Sequence, residues 1–183
     1  MEPLWADLIN SDWRDHLGSG RREDRIGNDA WLRRYLARTS WSSDGLPGDE
    51  ERRSLRDLRE LLRRMADTAR EGHAVAGADV AALNRVLAAA PVMPRLERVG
   101  GPWRVRTAPG RGGIDDVRAE IALSFANLLA EGDPTRIKRC ANPDCGWVIY
   151  DESRSRTRRW CDAKECGNLI KVRRFRARQR AHG

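Results

Sequence analysis

Lysine is nearly absent from this chain of 183 residues, since 32 of its 35 basic side chains are arginine. Long apolar runs are missing too. No stretch approaches the roughly 18 consecutive apolar residues of a membrane span, and the opening Met1-Glu2-Pro3-Leu4-Trp5 lacks the basic then apolar order of a secretion signal. A soluble, cytoplasmic chain is therefore expected. The three histidines, His16, His73 and His182, are scattered, with none at metal-ligand spacing. No paired nucleophile and base, phosphate-cradling glycine loop or open metal site can be read, so the expectation is a protein that is not an enzyme. Cysteine is absent from the first 139 residues and then occurs four times.

Those four, Cys140, Cys145, Cys161 and Cys166, are spaced C-x4-C-x15-C-x4-C. In a reducing compartment such pairs favour metal over disulfides. Four soft thiolates suit one structural zinc ion in a tetrahedron, with no position left open for a reactive water. Two disulfides, a redox pair or an iron tetrathiolate are the alternatives. Turn-forming Ala141-Asn142-Pro143-Asp144 between the first pair, with Gly146 after it, predicts a metal-binding knuckle. Residues 147–150 and a run ending at Arg159-Trp160 read as a hairpin joined by the polar segment 151–157. Asp162, three residues before Glu165, predicts the cap of a final helix that holds Cys166 in its first turn. Knuckle, hairpin and ligand-bearing helix together make a treble-clef-like finger.

Charge follows the same division. Residues 136–183 hold 14 Lys and Arg against 5 Asp and Glu, whereas residues 1–135 hold 21 against 22. A basic module of this kind points to a polyanionic partner. On the helix after Cys166, Lys171, Arg174 and Arg178 form one basic stripe and Arg173, Arg176 and Arg180 another. Between them Val172 and Phe175 make an apolar side, expected to dock on the N-terminal domain. Helix docking in a DNA major groove is the functional reading, joined by Arg154, Arg156, Arg158 and Arg159 of the hairpin and by Asn168. Compensation of the negatively charged zinc tetrathiolate would account for one or two arginines.

The first 135 residues read mainly as helix. Leu4, Trp5, Leu8 and Ile9 form a short amphipathic start, followed by a flexible loop at Gly18-Ser19-Gly20-Arg21-Arg22. Asn28 and Asp29 cap a helix whose stripe is Ala30, Trp31, Tyr35 and Leu36. From Asp49 to about Glu71, Leu55, Leu58, Leu61, Leu62, Met65 and Ala69 recur at three and four spacing and predict a core helix. Asp79 is expected to cap the next helix, carrying Val80, Leu83, Val86 and Leu87. Two short strands around Gly100-Gly101 and a helix over about 115–130 complete this part. The fold class is thus mainly α with a small β-hairpin element, divided into a helical domain at 1–135 and a finger at 136–183.

Arg158-Arg159-Trp160-Cys161, Cys166-Gly167-Asn168 and Lys171-Val172-Arg173-Arg174-Phe175-Arg176 resemble the CGNR zinc-finger family of bacterial proteins. Asp7-Leu8-Ile9-Asn10-Ser11, Asn28-Asp29-Ala30-Trp31-Leu32 and Leu55-Arg56-Asp57-Leu58-Arg59 are similar to the ABATE domain that accompanies this finger. The resemblance implies a transcription regulator with a sensing N-terminal domain and a DNA-binding finger. Leu169 stands where the family has its name-giving arginine. A small-molecule effector, if bound among the N-terminal tryptophans, would use Trp31 with Asn10 or Arg56 as polar anchors. Duplex DNA is the expected partner, at the nucleoid, for a monomer or homodimer. An RNA-binding or ribosome-associated zinc protein, or a protein-interaction adaptor, is the alternative.

Overall fold

A computed structural model describes residues 2–90, 93–98, 100–108 and 112–181. The elements run in the order α1 (Leu4–Ile9), β1 (Asp12–Arg14), β2 (Arg22–Asp24), α2 (Asp29–Leu36), α3 (Asp49–Arg70), α4 (Gly77–Ala89), β3 (Met93–Arg98), β4 (Trp103–Ala108), α5 (Ile114–Glu131), β5 (Ile137–Arg139), β6 (Val148–Tyr150) and α6 (Asn168–Ala181). Among the described residues the strands pair as three separate antiparallel hairpins. Among the described residues, no helix is long and apolar enough to cross a membrane.

The core is set by α3. Its 22 residues contain neither glycine nor proline, and its leucines fall on one face. Leu55, Leu58, Leu61, Leu62, Met65 and Ala69 are all buried, as that spacing predicts. Each fully buried leucine contributes roughly 1.5–3 kcal/mol relative to exposure. At the start of α3 the Gly48 N–H donates to Glu51 Oε2 at 2.7 Å. Helices α1 and α5 pack on α3, and α4 packs on α5. Trp5 of α1 sits fully buried with its ring 5.4 Å from Phe125 of α5 in an edge arrangement.

Several local expectations need correction. The loop expected after α1 is the connection of a hairpin, with Asp12 opposite Asp24 and Arg14 opposite Arg22, so that Arg22 lies in β2 rather than in the loop. In α2 it is Leu32 that turns inward, with Tyr35 and Leu36, while Ala30 is exposed. Asn28 does cap this helix, accepting from the Trp31 N–H at 3.1 Å. Asp79 does not cap α4, which starts after Ala76. Its carboxylate instead accepts from Arg64 Nη2 of α3 at 2.9 Å.

The hydrophobic core does not stop at residue 135. Ile137 of β5 and Val148 of β6 belong to the same cluster as Trp5, Leu8 and Phe125. Tyr150 stands edge-on to Trp5 at 6.5 Å. Polar ties cross the same junction: Arg139 of β5 forks onto Asp67 of α3, and Arg158 reaches Glu2 at 2.8 Å.

Candidate metal centre and nucleic-acid interface

The knuckle lies inside the third hairpin. Strands β5 and β6 pair with Ile137 opposite Tyr150 and Arg139 opposite Val148, so residues 140–147 form the connection that holds Cys140 and Cys145. The expected strand ending at Arg159-Trp160 does not form. The arginine's carbonyl instead accepts from the Ala141 N–H at 2.8 Å, lacing that segment to the knuckle. The knuckle closes through Cys140 N–H on the Trp147 carbonyl at 2.8 Å and Cys145 N–H on the Asn142 carbonyl at 3.1 Å. Gly146, at φ +68°, takes the left-handed turn that a side chain would strain.

Cys161 and Cys166 come from the approach to α6. Asp162 accepts from the Lys164 and Glu165 N–H groups at 2.6 and 3.1 Å, capping a single wide turn over residues 163–167. Gly167 lets this turn lie against Trp160, whose ring carbon would stand 3.1 Å from any added Cβ.

The four sulfurs lie within 4.8 Å of one another. Cys145 and Cys161 Sγ are 3.7 Å apart, and Cys161 and Cys166 Sγ 3.5 Å. A regular tetrahedron with zinc–sulfur bonds of about 2.3 Å has sulfurs about 3.8 Å apart, so the set fits one zinc ion. The electrostatics agree. Hydrogen bonds from Cys145 and Cys161 lower the Cys140 thiol, and the Cys140 thiolate then pushes Cys145 and Cys161 up. A cation among them lets these three ionise together. Asn142, fully enclosed, donates to Cys166 Sγ at 3.5 Å and to the His16 carbonyl at 2.9 Å. Sequence reading took it only as a turn former, although an amide inside a knuckle is the signal that could have marked it.

Helix α6 leaves this centre and projects, with no buried residue. Val172 is 37% and Phe175 56% exposed. The expected docking of these two on the N-terminal domain does not occur, because α6 packs chiefly on the turn at 163–167. Lys171, Arg174, Arg176 and Arg180 are exposed and have no acidic partner among the described residues. Arg178 is exposed on the same helix. Arg173 has a different task. It bonds Asp144 Oδ2 at 2.6 Å and the Leu17 carbonyl at 2.7 Å, bracing α6 against the knuckle and the first hairpin. The other candidate arginines divide in the same way. Arg158 is tied to Glu2 and to the Cys161 carbonyl, and Arg156 pairs with Asp133 at 3.1 Å. Arg154 is exposed, and Arg159 lies over Trp160 at 5.5 Å. Asn168, exposed, begins α6, and Leu169 beside it is half-buried.

The three N-terminal candidates for an effector site are not brought together. Asn10 is 4% exposed and fully engaged: its Nδ2 donates to the Val148 carbonyl and its Oδ1 accepts from the Val148 N–H, both at 2.8 Å. It therefore pairs with β6 as a neighbouring strand would. Trp31 stacks on Tyr35 at 4.9 Å, and Arg56 bonds Asp24 at 2.5 Å. None of these three lines the cavities described at the surface. One of those cavities, about 280 Å³, lies where the first hairpin meets the cysteine cluster, between Trp13, Arg14 and His16 on one side and Cys145, Trp147 and Cys161 on the other. Arg25, which sequence reading passed over, stands between the two indoles, 5.4 Å from the Trp13 ring and 5.7 Å from Trp147.

Comparison with family models matches residues 136–179 to the CGNR zinc finger. Residues 2–132 match ABATE, described as "Putative stress-induced transcription regulator". Among curated proteins there is no match. With the larger match spanning most of its length and the four-cysteine centre in place, the chain belongs to the ABATE family and carries a CGNR zinc finger with one structural zinc ion.

Proposed function

We propose that this protein is a DNA-binding transcription regulator that acts at the nucleoid by binding rather than catalysis, its zinc fixing the direction of α6 and α6 entering duplex DNA. The observation that carries this reading is the set of exposed cations on two sides of a projecting helix, Lys171 and Arg174 on one and Arg176 and Arg180 on the other, with no acid to neutralise them among the described residues. Such cations release condensed counterions from phosphates, which gives affinity and strong salt dependence. Small-molecule sensing by the N-terminal part belongs to the same proposal.

Fluorescence anisotropy of a labelled duplex, titrated over salt concentration, tests the reading. Reversing both Arg174 and Arg180 to Glu is expected to weaken binding at least 10-fold and to lower the slope of log affinity against log salt by about 0.9 for each lost phosphate contact. Binding unchanged by the double reversal overturns the role of α6. Tighter binding to a single-stranded or hairpin RNA of the same length favours an RNA-binding zinc protein instead.

A further inference from the structure

The stripe of α6 that carries Val172 and Phe175 holds no charge, although the helix has six cations and no acid. At about 100° per residue, Asn168, Val172, Phe175 and Gln179 fall within roughly 60° of one another around the helix. All four are exposed. Neither amide side chain has a hydrogen-bond partner among the described residues. Arg176 and Arg180 border the stripe on one side and Lys171 on the other, while half-buried Ile170 lies on the far side of the helix.

This order of side chains matches one kind of base edge. In the major groove adenine presents an acceptor beside a donor, which a carboxamide meets with its own donor and acceptor, and thymine presents a methyl group that takes apolar contact. Guanine presents two acceptors, best met by an arginine fork, and the stripe contains no arginine. The bordering cations lie where the phosphates on either side of the groove would pass. Resting on the duplex-DNA reading above, we propose that the uncharged stripe is the base-reading edge of the finger and selects A·T pairs. Asn168 and Gln179 bond adenine, and Val172 and Phe175 touch thymine methyls. From Asn168 to Gln179 the helix rises roughly 16 Å, which spans about five base pairs at 3.4 Å each.

Other occupants fit the surface less well. A second copy of this chain would bring two such cationic helices together with only one valine and one phenylalanine on each to offset the repulsion. A lipid surface calls for a broad apolar face, whereas here two apolar residues stand between two amides.

The experiment is selection of bound duplexes from a randomised pool by the full-length, zinc-loaded protein, repeated with Phe175→Ala, Gln179→Ala and Gln179→Arg. Zinc content and circular dichroism report folding, and all three changes fall on exposed positions. The parent protein is expected to enrich an A·T run of about five base pairs. Phe175→Ala and Gln179→Ala should each lower the preference for that run over random duplex by roughly 10-fold while leaving non-specific affinity and salt slope in place. Gln179→Arg should admit a G·C pair at one end of the site. Enrichment of G·C-rich sites by the parent, or a preference indifferent to all three changes, overturns the proposal while the DNA reading stands. No duplex binding at low salt overturns both, and capture by phosphatidylserine vesicles in that case identifies a membrane partner.

Discussion

Asp151 shows how one side chain shapes the basic surface. It is fully enclosed after β6 and collects Lys138 Nζ at 2.5 Å, the Ser153 hydroxyl at 2.6 Å, and the Ser153 and Arg158 N–H groups at 3.0 Å each. Those contacts fold back the loop that presents Arg154 and Arg156. Lys138 above all, then Ser153, holds the carboxyl well below the usual carboxylate range, against the opposing effect of burial. The sign follows from a depressed native value. The stabilisation is fully present above the unfolded carboxylate value of about 3.9 and is lost as pH falls through the lower folded value. Asp151→Asn should therefore be less stable than the parent by a constant margin from pH 7 to about 5, and the margin should shrink as pH falls below about 4. Urea midpoints of the two proteins across that range check this, since acid release of zinc is common to both. A margin that widens with acid contradicts it.

At the scale of elements, legibility tracked how local the signal was. The α3 leucines and the Asn28 cap are local patterns, and both form as read. The four ligands were legible because thiolate spacing alone encodes them. The third hairpin was misplaced because an apolar run such as Trp147 to Tyr150 names a strand but not its partner, and Ile137 to Arg139 was the partner. Val172 and Phe175 were expected to find cover because apolar side chains usually do. Only tertiary placement shows α6 leaving the body of the protein. That placement has a consequence for metal dependence. With no buried residue of its own, α6 is held by the zinc-bound turn and by Arg173, and a structural zinc contributes its binding energy, roughly 10–16 kcal/mol in isolated fingers, to folding. Stripping zinc with a chelator, or Cys161→Ser, is expected to lower amide-exchange protection over residues 163–170 by at least 10-fold while α3 and α5 keep theirs. Unchanged exchange in the stripped protein would mean that the metal does not organise this turn.

Across the whole molecule, charge and packing divide the chain differently. Net charge separates a near-neutral first part from a basic second part at about residue 135. The hydrophobic core runs through that point, from Phe125 and Trp5 to Ile137 and Val148. Charge is visible in sequence because it needs no partner, but shared burial is not. Asn10 is the clearest case: its place among the N-terminal tryptophans marked it as a ligand anchor, and its role is to bond the Val148 backbone across the junction. Asn10→Ala leaves a buried N–H and a buried carbonyl without partners, each costing about 1–3 kcal/mol, so the total loss is expected at roughly 2–6 kcal/mol. Because the two parts share one core, the loss should appear in a single transition. Tryptophan fluorescence and zinc release followed by a chromogenic chelator should shift together to lower urea, in the parent and in the variant. Zinc release that moves alone, with the fluorescence midpoint unchanged, would show that the finger unfolds independently of the helices beneath it.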